Sequence, residues 1–171
     1  MPTPAIDLTS SDATFIRAVR DSIYIAQVSS AGTAAAYPGF THATALHHSP
    51  PPLDSDDPKS PLPTSRETHA IVAFEVDGSI ATATICDTGP GWSGEVLTYR
   101  RTGTPPPTNQ HGPHWYPIHN VFGDWQILND TQPDFNQPPS LAVRQCAAAH
   151  IPEPVSPPNS PGWSWEPNPG T

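Results

Sequence analysis

Apolar and polar residues alternate from Glu67 to Asp87 (ETHAIVAFEVDGSIATATICD) around a central Asp-Gly pair. This pattern predicts two antiparallel strands joined by a tight turn at Asp77-Gly78, because the turn that matches strand twist needs positive φ, which glycine supplies without steric cost. With Asp77 and Gly78 as the whole loop, Val76 pairs with Ser79, Phe74 with Ala81, Val72 with Ala83, Ala70 with Ile85 and His69 with Cys86. One face then carries Ala70, Val72, Phe74, Val76, Ala81, Ala83 and Ile85, and the other His69, Ile71, Glu75, Thr82, Thr84 and Cys86. The first face is nearly all apolar and must be covered. Its larger side chains each contribute about 1.5–3 kcal/mol when fully buried.

The cover comes from upstream. Ile16, Val19, Ile23 and Ala26 recur at helical spacing, widened by Phe15, Tyr24 and Val28, and predict a helix from Ser10 to Ser29 with one wet face formed by Arg17, Arg20, Asp21 and Gln27. Thr9 is placed to cap it, with Asp12 in the first turn, and Gly32 is the stop. A Tyr-Pro-Gly turn leads into Phe40 to His47, where Phe40, Ala43 and Leu46 suit two helical turns. Downstream, Glu95 to Arg101 alternates as a strand with Leu97 and Tyr99 on one face. Trp115 to Phe122 reads as a strand that Pro117 places at an edge or marks with a bulge, turning at Gly123-Asp124 into a further strand from Trp125 to Asn129. Ser140 is placed to cap a short helix from Leu141 to Ala149. Helices first and a strand meander afterwards predict an α+β fold, with the N-terminal helix and a short helix packed on a curved antiparallel sheet of four to five strands.

Composition narrows this to one core. The 171 residues include 25 prolines and 11 glycines, so much of the chain is neither helix nor sheet. The expected organisation is an N-terminal arm (1–9), a single domain (10–150) with proline-rich loops at 49–65 and 103–113, and a disordered proline-rich tail (151–171). A formal charge of −9, with Lys59 as the one lysine, leaves no basic stripe for nucleic acid or anionic membrane. The first residues show neither a basic nor an apolar leader region, so the default location is cytoplasmic, or exported if the true start lies upstream. Cys86 and Cys146 allow one disulfide at most, and the sequence alone leaves their pairing open.

Three stretches together resemble the nuclear transport factor 2-like superfamily. They are the first helix leading into Tyr37 to Phe40 (YPGF), the central hairpin VDGSIATATICD (Val76 to Asp87), and FGDWQILN (Phe122 to Asn129). The last two are similar to the V-D-G-x-x-A-x-V-x-x-C-D and G-x-W-x-V patterns of small bacterial members, many of them exported or of unknown role. The resemblance covers Ser10 to Asn129 and implies a cone, with the first helix and a shorter one lying in the hollow of a bent sheet. Enzymatic members, ketosteroid isomerase-like and polyketide cyclase-like, place an Asp or His inside the cone as a base. No residue here sits in a motif that transfers that role. The two proline-rich insertions and the C-terminal helix and tail depart from the pattern.

Candidate chemistry is thin. His47, His48, His111, His114 and His119 could supply imidazoles to a metal, but the spacing is not that of a zinc site, and surface histidines are the simpler reading. Asp54, Asp56 and Asp57 open like a calcium loop, but Lys59 and Ser65 stand where such a loop needs Gly and Glu. His69 opposite Cys86 across the hairpin, beside Asp87, is the best candidate for an activated thiolate, but a structural role for both is the simpler reading. Gly89, Gly91 and Gly94 lack the lysine of a phosphate loop. Trp163 and Trp165 in the tail could serve as a recognition peptide, but a tail with no such role is the simpler reading. With no catalytic constellation and no cofactor or metal motif, the expected function is a non-enzymatic cone-type domain binding a protein partner or small apolar ligand. Tyr24, Tyr37, Phe40 and Trp125 would line its pocket, and the sheet could serve a homodimer. The alternative is a small isomerase-like or cyclase-like enzyme with an acid/base residue in the cone.

Overall fold

A computed structural model of the chain describes residues 5–28, 31–46, 69–87, 94–108, 117–131 and 140–149. The elements are α1 (Ser11–Val28), a 3-10 turn (Gly32–Ala35), α2 (Phe40–Ala43), β1 (His69–Asp77), β2 (Ile80–Asp87), β3 (Gly94–Arg100), β4 (Gln126–Thr131) and α3 (Leu141–Ala148). The strands form one antiparallel sheet in the order β1-β2-β3-β4. The fold is mixed α+β, and among the described residues the sheet has four strands.

The hairpin forms one position later than the Asp-Gly rule predicts. Asp77 partners Ile80, so the loop is Gly78-Ser79, with Gly78 at φ 57 in its first position. Val76 then pairs with Ala81 and Phe74 with Ala83. A bulge at Val72 breaks the alternation. Beyond it Ile71, not Ala70 or Val72, shares a face with Ile85, and Ala70 opposes Cys86 while His69 opposes Asp87. Ala81, Ala83 and Ile85 are buried in the core, with Ile71 and Phe74 packed against it. A second bulge, at Leu128, lies in β4 against β3. Both outer strands are therefore bulged, which blunts the edges against strand addition.

Helix α1 covers the apolar face. Phe15, Ile16, Val19 and Ile23 join Leu97, Tyr99 and Ile127 of the sheet in one cluster. The cap is Ser10, not Thr9: the Ala13 N–H donates to Ser10 Oγ at 3.2 Å, while Thr9 donates through its N–H and hydroxyl to Asp7. The expected wet face is not wet. No residue from Ser11 to Ala26 is exposed, and Arg17, Arg20 and Asp21 are half-buried. The N-terminal arm accounts for part of this cover: Ile6 is in the core, and Arg17 Nη1 donates to the Leu8 carbonyl at 2.8 Å. On another side, the Tyr37 N–H donates to Ser22 Oγ at 3.2 Å.

Two expected elements change. α2 is a single turn, not two, opened by Gly39 at φ 97. Residues 117–122 are not a strand, so the second hairpin does not form. Pro117 lacks an N–H to donate, and the Asn120 side chain bends the chain by accepting from the Phe122 N–H (2.8 Å) and donating to the Gly123 carbonyl (3.0 Å). Asp124 then ties back to Thr104, through its N–H to the Thr104 carbonyl (2.8 Å) and its carboxylate to the Thr104 N–H (2.7 Å). Val121 and Phe122 are delivered into the core by this bend rather than by a ladder.

Helix α3 lies on the other side of the sheet. Ser140 caps it, its hydroxyl accepting from the Val143 N–H at 3.2 Å, as the sequence predicts. Cys86 alternates with core-facing Ile85 and so points away from α1. There it is bonded to Cys146 of α3, with Cα atoms 5.5 Å apart. The Thr84 hydroxyl donates to Gln145 Oε1 at 3.3 Å. Gly94 is the contact that sets the approach of α3 to the sheet. A Cβ there would lie 2.6 Å from the Ala142 backbone carbonyl carbon and oxygen, where nothing flexible can yield. Gly94→Ala should therefore destabilise the protein by about 1–3 kcal/mol. Urea unfolding measures this, and an unchanged midpoint would show that α3 does not pack this closely.

Candidate functional site

The four charged side chains that α1 carries between Ser11 and Ala26 all point to partners inside the protein. Near the start of the helix, Asp12 accepts from the Tyr99 hydroxyl at 2.7 Å and pairs with Arg101 Nε at 3.2 Å. The Arg101 guanidinium sits 5.3 Å from the centre of the Trp125 ring. Burial and the Asp12 carboxylate both push the Tyr99 hydroxyl far above its ordinary value, so it stays a donor at any physiological pH. Phe15 packs on Tyr99 with ring centres 4.6 Å apart and on Trp125 at 5.8 Å. This end of the helix is an aromatic cluster with one satisfied carboxylate in it.

The middle of α1 is more polar. Arg20 forms an ion pair with Glu95 of β3, both side chains largely out of water. Next to it in sequence, Asp21 accepts from the Tyr37 hydroxyl at 3.2 Å and feels His69, Arg17 and Arg20. Burial pushes the Asp21 carboxyl up to about 6, and the positive charges and the Tyr37 bond only partly oppose this. Burial likewise lowers Arg17 to about 10. Asp130 of β4 shares the core-facing side with its partner Leu97, and its Oδ1 is buried without a hydrogen bond. Chemically, the Asp21 group is the part of the described structure suited to proton transfer, because its acid is tuned toward neutrality.

The expected pocket residues are distributed otherwise. Tyr37, Phe40 and Trp125 belong to the core, while Tyr24 is half-buried on α1. Phe40 packs on Phe122 at 5.8 Å, and Trp125 stacks on Tyr99 at 5.8 Å. The His69–Cys86 thiolate does not exist: His69 faces Asp87 across the hairpin, and the Cys86 sulfur is consumed in the bond to Cys146. His119 is exposed in a bend, not on a strand. His47, His48, His111, His114, the aspartates 54–57, Gly89, Gly91, Trp163 and Trp165 lie outside the described residues. Among the described residues no three His, Cys, Asp or Glu side chains group to hold a metal ion, and no helix is long and apolar enough to cross a membrane.

Asp12 and Asp21 escape a reading by helical periodicity, which assigns charged positions to solvent. The one available signal is that Asp12 falls on the Phe15/Val19 side of the helix, where a carboxylate has to find a donor.

The raised Asp21 value fixes a pH dependence. Below its ordinary value of 3.8 the carboxyl is protonated in both folded and unfolded chains; between 3.8 and about 6 only the folded chain keeps the proton. Stability contributed by this group is thus present at low pH and lost as pH rises through about 6. Asp21→Asn cannot titrate, so its urea midpoint should gain on that of the natural chain across this window and keep a constant lead above it. A difference that does not vary with pH contradicts the buried placement of Asp21. Comparison with known proteins finds no family model, no curated protein and no solved structure that matches this chain.

Proposed function

We propose that this chain is a non-enzymatic α+β domain of the cone type that acts by binding a protein partner through its surface. The reading is supported by one observation above the others: Asp12, Arg17, Arg20 and Asp21 of the central helix are each engaged by groups of the same protein. Side chains whose hydrogen bonds are already spent on their own protein have less capacity left to meet a substrate. The packing of Tyr37, Phe40 and Trp125 into the core argues in the same direction, since a small apolar ligand would have to displace them. The charge of −9 favours a protein over a nucleic acid as partner. The bulged outer strands favour faces and loops, over strand addition, for contact with a partner or a second copy.

A second reading, a small isomerase-like or cyclase-like enzyme, is favoured by Asp21, whose carboxyl at about 6 beside Tyr37 and His69 suits general acid/base work.

Two measurements on the full chain separate these readings. Titrated with the apolar dye anilinonaphthalene sulfonate, the native protein should show no saturable one-to-one uptake, and brief formaldehyde cross-linking in its source cells should shift most of the chain into one defined complex with a second protein. Stoichiometric dye uptake that changes in Asp21→Asn, from a chain that stays uncomplexed in cells, contradicts the proposal and favours the enzyme.

A further inference from the structure

Independently of that reading, we infer that this protein is matured by thiol oxidation in an oxidising compartment, in a step that closes Cys86 to Cys146 before α3 settles on the sheet. The two cysteines lie 60 residues apart, on different elements, and neither has any solvent exposure. Helix α3 has eight residues, too few to hold a helix alone in water. Its own burial is slight: Ala142 and Cys146 are buried, while Leu141, Arg144, Ala147 and Ala148 are exposed. Among the described residues, the ties that hold α3 include the Thr84–Gln145 hydrogen bond, the close approach at Gly94 and the covalent bond, which is the strongest of them. A bond closing so long a loop stabilises chiefly by restricting the unfolded chain, and the cytosol keeps such thiols reduced.

The chemistry requires an oxidant, here a protein or small-molecule disulfide. The thiolate of one cysteine attacks a sulfur of that disulfide, forming a mixed disulfide and releasing one oxidant thiolate. The second cysteine's thiolate then attacks this chain's sulfur in the mixed disulfide, closing Cys86–Cys146 and releasing the other oxidant thiolate. Two electrons pass to the oxidant, and the two protons lost from the cysteines end on its thiols. Since both sulfurs are shielded in the folded protein, the exchange takes place while α3 is still off the sheet.

Source cells quenched in acid and alkylated in denaturant without reductant trap the thiols as they stand in the cell. Peptide mapping should find the Cys86 and Cys146 peptides joined and unalkylated in most of the chain; alkylation of both cysteines in most of the chain overturns the inference. Limited trypsin digestion adds a local readout, because Arg144 is exposed on α3. In the reduced full chain and in the Cys86→Ser/Cys146→Ser double variant, cleavage after Arg144 should rise about ten-fold or more over the oxidised protein. Equal cleavage in all three would show that the bond does not hold α3 and would overturn the proposed order of events.

Discussion

A helix with no exposed residue has to find partners for its own charged side chains inside the protein, and α1 from Ser11 to Ala26 is such a helix. Leaving any of Asp12, Arg17, Arg20 or Asp21 desolvated and unmatched would cost several kcal/mol. Each is answered from outside the helix: Asp12 by Tyr99 and Arg101, Arg17 by the arm at Leu8, Arg20 by Glu95, and Asp21 by Tyr37. These partners fix the helix lengthwise on the sheet, its start near Tyr99 and its middle near Glu95, so α1 runs opposite to β3. Apolar packing alone would not impose that register, because alanines at 81 and 83 offer a smooth surface.

The sheet carries different work on its two sides. Its α1 side holds the core and the internal charges. Its other side is polar, with Thr82 facing Thr98 at 3.4 Å, and α3 rests at one end of it. The apolar area available to α3 is small, so a covalent tie substitutes for a hydrophobic one. The same economy governs the bend at 117–124, where side-chain bonds from Asn120 and Asp124 replace a strand ladder and still deliver Phe122 beneath Phe15, ring centres 5.9 Å apart.

Much of the framework was legible in the sequence because it rests on local chemistry. The 3.6-residue period of Ile16, Val19 and Ile23, the glycine in the hairpin turn, the Leu97/Tyr99 alternation and the Ser140 cap each act over a few residues, and each appears as expected except that the turn sits one residue later. What went unread depends on residues distant in sequence. The bulge at Val72 reverses the faces of Ala70 and Ile71 without any mark in the pattern, and it removes the His69–Cys86 pair from consideration. Trp125 looked like a pocket wall, yet it is core because the 117–124 bend and Arg101 enclose it. Asp21 looked solvated, and Asp12 looked like a first-turn capping group, because periodicity cannot see that the arm and the Tyr37 segment cover the helix's second side.

The account depends most on charges matched inside the protein around α1, and a double-mutant cycle on Arg20 and Glu95 tests that directly. Arg20→Met and Glu95→Gln should each destabilise by about 3–5 kcal/mol, because each takes the ion-pair partner from a largely buried charge. The double variant, which removes both charges of the pair, should be more stable than the sum of the two predicts by about 2 kcal/mol or more. Strict additivity of the two single effects would mean that Arg20 and Glu95 meet water rather than each other, and that α1 is not the enclosed helix described above.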